Sequence, residues 1–278
     1  MNIGIESEKN ILRILSKRFN KWWQKQALEV PEFRRGDFHY LKDRLAQPRA
    51  VTIIGPRQVG KTTVVMQLIK ELLEEKKVEP KRILYVALDD QNLRREAGEN
   101  TLLLDVLEVY QKNVLLEDLD SVKIKTYLFF DEVQKIPQWA EVVKTLVDSN
   151  KNIQIVSTGS ASFKISQASK ETLPGRQELY TMLPLKFADS IKLRRAMGFN
   201  ELNAEELKSI GLSLKDGLER ALLTPDSLPQ FFDECKKYYL KNAAQETSVQ
   251  AELRAYLAKG GYPEIISTKD APTCQKRL

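Results

Sequence analysis

Between positions 55 and 63 the chain reads Gly55-Pro56-Arg57-Gln58-Val59-Gly60-Lys61-Thr62-Thr63, a fit to G-x-x-x-x-G-K-[ST]. The chemistry of that pattern, the Walker A or P-loop, is phosphate binding. Gly55 and Gly60 let successive backbone N–H groups turn inward onto phosphate oxygens at a helix N-terminus. Lys61 would reach the β- and γ-phosphates, and the Thr62 hydroxyl would ligate Mg²⁺. A glycine-containing turn that happens to carry a lysine is the competing reading. The short apolar run Ala50–Ile54 before the loop and the helical run Thr63–Ile69 after it argue against that alternative.

Nucleotide hydrolysis needs further groups, and each has a candidate. Asp131 ends the apolar run Tyr127-Leu128-Phe129-Phe130, where a Walker B carboxylate would hold the Mg²⁺ shell. Glu132, the next residue, would polarise the attacking water as general base. Thr158 and Ser160 follow another apolar run, Ile153–Ser157, and their hydroxyls would sense the γ-phosphate or the lytic water; an ordinary polar Thr-Gly-Ser turn is the alternative. Arg176 would stabilise charge on the transferred phosphoryl group, in trans if it were an arginine finger. Equally, Gly175-Arg176 reads as a structural turn whose arginine is paired within its own subunit. Arg57 would face away from the phosphates and brace the loop.

The elements that must position these groups alternate between strand and helix. Strands are expected at Ala50–Ile54, Ile83–Leu88, Tyr127–Phe130, Ile153–Ser157 and Leu179–Leu183, with helices at about 61–77, 102–115 and after Pro137. Alternation of this kind means a parallel α/β sheet. Strand count and motif placement predict the order 5-1-4-3-2, with the nucleotide at the C-terminal edge. The stretch Gln91–Asn100 is polar and precedes the helical segment at 102–115. Beyond Pro184 only helices are expected, at 186–197, 201–223, 227–240 and 249–258, forming a smaller all-helical domain. The organisation expected is a basic helical segment over 1–48, a P-loop domain over 49–185 and a helical lid-like domain over 186–278.

Composition narrows the function classes. Of 278 residues, 42% are hydrophobic and 29% charged, as in water-soluble globular proteins. No apolar run approaches the ~20 residues of a membrane span, and the N-terminus lacks a secretory signal's layout, so the cytoplasm is the expected location. Two cysteines far apart and one histidine, His39, argue against a disulfide framework and a zinc centre. Residues 1–50 hold eleven Lys and Arg against six Asp and Glu, most of the net charge of +6. That basic arm would meet DNA or RNA or an anionic membrane surface, or equally serve as a solvated helix face. Over Lys9–Gln26, Leu12, Leu15, Phe19 and Trp22 recur at helical spacing; covering the edge of the main domain is favoured for Trp22 and Trp23 over a lipid-surface role.

In order and spacing, Gly55–Thr63, Phe130-Asp131-Glu132-Val133-Gln134, Thr158-Gly159-Ser160, Gly175-Arg176, Pro184-Leu185-Lys186-Phe187 and Gly260-Gly261-Tyr262-Pro263 resemble one group. It is the prokaryotic AAA-superfamily P-loop ATPases that carry a C-terminal domain of unknown function, and the resemblance covers about residues 33–265. It implies an ASCE/AAA-type P-loop NTPase fold, ATP with Mg²⁺, a cytoplasmic location and the residue roles given above. Such proteins usually continue well past the Gly-Gly-aromatic-Pro turn, so a short or truncated form is expected here. The resemblance leaves a sensor-2 arginine open among Arg194, Arg195, Arg220 and Arg254, and a homo-oligomer is an expectation tied to the arginine finger. The leading expectation is a Mg²⁺-dependent ATPase whose cycle moves the helical domain; an ATP-gated nucleic-acid switch using the basic arm is the alternative, and a small-molecule kinase ranks third.

Overall fold

The computed structural model describes residues 4–47, 49–98, 100–160, 172–203 and 228–267, with 216 and 224. Two compact units emerge, Met1–Leu183 and Pro184–Leu278, the N-terminal segment belonging to the first.

Five parallel strands build the sheet of the first unit: β1 (Ala50–Ile54), β2 (Ile83–Ala87), β3 (Thr126–Asp131), β4 (Ile153–Gly159) and β5 (Gln177–Thr181), in the order β2-β3-β4-β1-β5. This is the predicted order read from the other edge. β1 pairs with β4 (Ile53 against Thr158) and with β5 (Ile53 against Tyr180), so the strands that end in the P-loop and in Thr158 lie side by side. Strand five lies two residues earlier than its apolar run suggested. At this edge the strand is half-exposed, and burial does not reinforce the alternation.

Period-two alternation sends the side chains of each inner strand to opposite faces. Val51, Ile53, Phe129 and Val156 join Val64, Val65 and Leu68 of α3 (Lys61–Glu74), Phe38 and Leu41 of α2 (Gly36–Arg44), and Trp22. Ala50, Ile54, Leu128 and Phe130 meet Ile11 of α1 (Ile5–Ile14), Leu93 of α4 (Gln91–Glu96), Val106 of α5 (Leu102–Tyr110) and Val143 of α6 (Trp139–Ser149). Each fully buried aliphatic side chain contributes about 1.5–3 kcal/mol. Within the polar stretch after β2, Asp90 caps α4, its carboxylate accepting from the N–H groups of Asn92 and Leu93 at 3.0 Å.

β2 is an edge strand, and the segment after α1 covers it with side chains. α1 continues as a π-turn over Leu15–Phe19 and a 3₁₀ turn over Lys21–Gln24, rather than as one helix from Lys9 to Gln26. Asn20, buried between the two turns, accepts from the Tyr85 N–H (2.7 Å) and donates to the Tyr85 carbonyl (2.9 Å). The indole N–H groups of Trp22 and Trp23 donate to the Ile83 carbonyl at 3.1 and 2.9 Å. Ile83 and Tyr85, two apart, are the residues whose polar backbone faces away from β3, so these contacts satisfy the open edge.

In the second unit α7 (Phe187–Ala196), α8 (Leu228–Lys259) and α9 (Pro263–Ile266) are helical. The helices expected at 227–240 and 249–258 are one helix of 32 residues; residues 241–248 are polar but contain neither Gly nor Pro to stop it. The helix expected over 201–223 lies almost wholly outside the described residues. Gly261 sits where a Cβ would come within 2.3 Å of the Leu185 carbonyl oxygen, and the Leu185 N–H donates to the Gly261 carbonyl at 2.6 Å. No helix among the described residues is long and apolar enough to cross a membrane.

Candidate functional site

At the C-terminal end of β1 the chain must turn tightly into α3. Gly55 allows it, because a Cβ there would stand 2.2 Å from the Met182 carbonyl oxygen on the neighbouring β5 side. Gly60 caps α3 with φ +99°, a conformation that favours glycine. Between them Arg57 and Gln58 are exposed, Pro56 is half-buried and Val59 is buried in the core. Lys61 opens α3, and its side chain is only 5% exposed. Its ammonium donates to the Gly55 and Pro56 carbonyls at 2.9 and 2.8 Å, inside the loop's curve. Burial pushes the Lys61 pKa below the usual lysine value; the charges of Glu132 and Asp131 oppose that, and Arg57 adds to it.

Across from Lys61, Asp131 ends β3 and is 4% exposed. Three hydroxyls satisfy its carboxylate. Thr62 donates to Oδ2 at 2.8 Å, Tyr85 to the same oxygen at 2.9 Å, and Thr158 to Oδ1. The Thr158 hydroxyl in turn accepts from the Glu132 N–H at 3.3 Å. Glu132 stands at φ +57°, an uncommon conformation for a residue other than glycine. Its carboxylate is held by Ser160, just past β4, which donates at 3.0 Å, and by the amide of Gln134, which also donates to Ser160 at 3.0 Å. Asp89, in the turn after β2, has its carboxyl pushed up by partial burial and by the charges of Glu132 and Asp131.

Lys61, Thr62, Asp131, Glu132, Thr158 and Ser160 are thus gathered at one end of the sheet, together with the Gly55–Thr63 loop. Residues 47–191 match the family model described as AAA domain. The chain belongs to that family. Over 151 residues it is 32% identical to the uncharacterized protein MJ1544 of Methanocaldococcus jannaschii, a match that covers 54% of this chain and 30% of that protein. The chain therefore spans under a third of that relative's length. Among solved structures, C. elegans PCH-2 is similar with TM-score 0.44 and 12% identity, over 86% of this chain and 63% of that one. S. cerevisiae Hsp104 in its casein complex, extended conformation, is similar with TM-score 0.43 and 15% identity, over 72% and 36%.

Within this AAA domain Arg176 does not join the gathered residues. Its carbonyl accepts from the Ala50 N–H, at the start of β1, which puts it at the opposite end of the sheet, roughly 15 Å away at ~3.3 Å per residue. Its guanidinium pairs with Asp148 at 2.6 Å on an exposed surface. This placement makes Gly175-Arg176 a within-subunit structural turn, with Arg176 outside its own subunit's site. Among the open sensor-2 candidates, Arg194 pairs with Glu252 at 2.7 Å inside the helical unit, Arg195 and Arg254 are exposed, and Arg220 lies outside the described residues.

Of three further residues around the site, Tyr85 and Arg35 carried no sequence signal, and Gln134 stood in the run Phe130–Gln134 with no role of its own. Tyr85 donates to Asp131 from β2, as above. Gln134 orients Glu132, and its own Oε1 is buried without a hydrogen-bond partner in the structure. Arg35 is 6% exposed; it donates to the Val59 carbonyl at 2.7 Å and the Leu183 carbonyl at 2.6 Å, and pairs with Asp37 at 2.5 Å. It braces the P-loop from behind, the task expected of Arg57. An isolated arginine before a helix has no pattern that announces such a role.

The donor set suits a magnesium nucleotide. No group of three or more His, Cys, Asp and Glu residues that could hold a metal occurs among the described residues. What is present is one hydroxyl and one carboxylate, Thr62 and Asp131, already in contact. Mg²⁺ commonly takes one or two protein oxygens and completes its shell with water and substrate phosphates.

Proposed function

We propose that this P-loop ATPase domain binds ATP with Mg²⁺ and hydrolyses it, and that the cycle moves the helical unit relative to the first. The observation that carries the reading is the junction of Thr62, Asp131 and Thr158, with Glu132 held beside it by Ser160 and Gln134. Gly55 to Thr63 would cradle the phosphates with backbone N–H groups, and Lys61 would exchange its two loop carbonyls for phosphate oxygens. Thr62 and Asp131 would hold Mg²⁺, which supplies charge neutralisation at the β- and γ-phosphates. Glu132 would take the proton of the attacking water at its carboxylate while the water oxygen bonds to the γ-phosphorus and the bond to the β-phosphate oxygen breaks. Ser160 and Gln134 orient that carboxylate. Thr158 fixes Asp131 and Glu132 relative to each other, which is a positioning role.

Phosphate release from wild type, Lys61→Ala and Glu132→Gln tests this. Wild type should turn over ATP only with Mg²⁺. Glu132→Gln should keep ATP-induced thermal stabilisation and lose about 10²- to 10⁴-fold in rate, the usual contribution of a general base. Lys61→Ala should lose both. Unchanged turnover in the two variants would sink the reading, and ATP-induced stabilisation of wild type without turnover would leave a binding switch in its place.

A further inference from the structure

Away from the P-loop, α1 with its π-turn and α4 line a cavity of about 520 Å³. The inward faces of these helices are apolar, Ile11, Leu15 and Leu93 being fully buried, so their polar residues are left to the outside. Arg13, Lys17 and Arg18 come from the first helix, and Asn92, Arg95 and Glu96 from α4. Four cations therefore face one carboxylate. Arg18 pairs with Asp90 at 2.9 Å, and Glu96 accepts from Asn10 at 3.1 Å. Arg13, Lys17 and Arg95 are exposed and stand in no ion pair among the described residues. Like charges gathered in one concavity repel each other until an anion enters.

Two features specify that anion. Among the described residues no aromatic ring lines the cavity, so they offer no platform on which a base would stack, and recognition falls on phosphate. The charge is also not local: residues 1–50 carry most of the chain's +6, a field that favours an extended polyanion over a single small one. We propose that this cavity binds the phosphodiester backbone of nucleic acid without reading its sequence. The proposal stands apart from ATP hydrolysis, since none of its residues belongs to the P-loop site.

The test is fluorescence anisotropy of the full chain with short mixed-sequence DNA and RNA duplexes. Three phosphate contacts predict a slope of log affinity against log salt near −2.7, a loss of about 40-fold between about 50 and 200 mM salt. Arg13→Gln/Lys17→Gln/Arg95→Gln should weaken binding at least tenfold and flatten that slope. Lys123→Gln/Lys144→Gln/Lys151→Gln removes the same charge outside the basic N-terminal segment and should leave binding nearly intact. All six side chains are exposed; should the first triple variant not fold, Arg95→Gln alone, expected to weaken binding severalfold, replaces it. Equal losses in the two triple variants would overturn the proposal, because total charge would then suffice. So would full competition by millimolar inorganic phosphate, or binding to phosphatidylserine vesicles but not to either duplex.

Discussion

The two edges of the sheet are covered by the same N-terminal segment, with different chemistry. At β2 the cover is neutral: Asn20, Trp22 and Trp23 hydrogen-bond the backbone of Ile83 and Tyr85. At β5 it is largely ionic. Arg35 pairs with Asp37, which also accepts from Tyr180 at 2.6 Å; Arg44 pairs with Glu178 on the strand; and Lys42 and Arg34 tie α2 to Glu71 on the P-loop helix. Both covers lead to the site, through Tyr85 to Asp131 on one side and through Arg35 to Val59 on the other. The difference teaches that one route depends on shape and the other on ionisation, so acid and salt should act on them unequally.

The largest effect should come from Arg35→Ala. It strands Asp37 and two carbonyls, and losing one partner of a buried ion pair typically costs about 3–5 kcal/mol; urea denaturation should show it, with Arg35→Lys recovering only part because an ammonium lacks the guanidinium fork. Asn20→Ala comes next. It leaves the Tyr85 N–H and carbonyl unpaired, at about 1–3 kcal/mol by the same measurement. A larger cost for Asn20 than for Arg35 would reverse the ranking of the two covers.

A pH titration sharpens the contrast. The Lys42 ammonium, ahead of Arg34, holds the Glu71 carboxyl below the usual glutamate range, while burial pushes the other way. A depressed folded-state pKa gives stability that is complete above the unfolded value of about 4.3 and is lost as pH falls through the folded one. Hydrogen-exchange protection in α2 should therefore fall in that acid window while the Tyr85 amide stays protected, and Glu71→Gln should flatten the dependence. Parallel loss at both edges would break the comparison. Smallest of all should be Arg44→Ala, which removes a half-buried pair with Glu178 at the rim of β5 and should shift the denaturation midpoint little, and less at high salt than at low.

Much of this was legible in the sequence because apolar runs and glycine spacing are local signals. β1, β3 and β4 are inner strands, buried on both faces, so their runs were continuous and the sheet order followed. The residues gathered around Lys61 and Asp131 came from motifs tied to strand ends. Arg35, Asn20 and Tyr85 were not legible in these roles, since each acts through partners 24 or more positions away in the chain; Gln134 stood in the run after Asp131, but its contact with Glu132 had no signal of its own. Arg176 misled for a related reason: a position between two strands does not say at which end of the sheet it lies.

Asn20, Trp22 and Trp23 meet a strand 60 to 65 positions further along the chain. During synthesis the cover therefore leaves the ribosome before the edge it seals. A nascent chain never presents a finished β2 without Asn20 already at hand, whereas a circular permutant that carries residues 4–47 at its end would present that edge bare until translation closes, with intermolecular strand pairing as the cost.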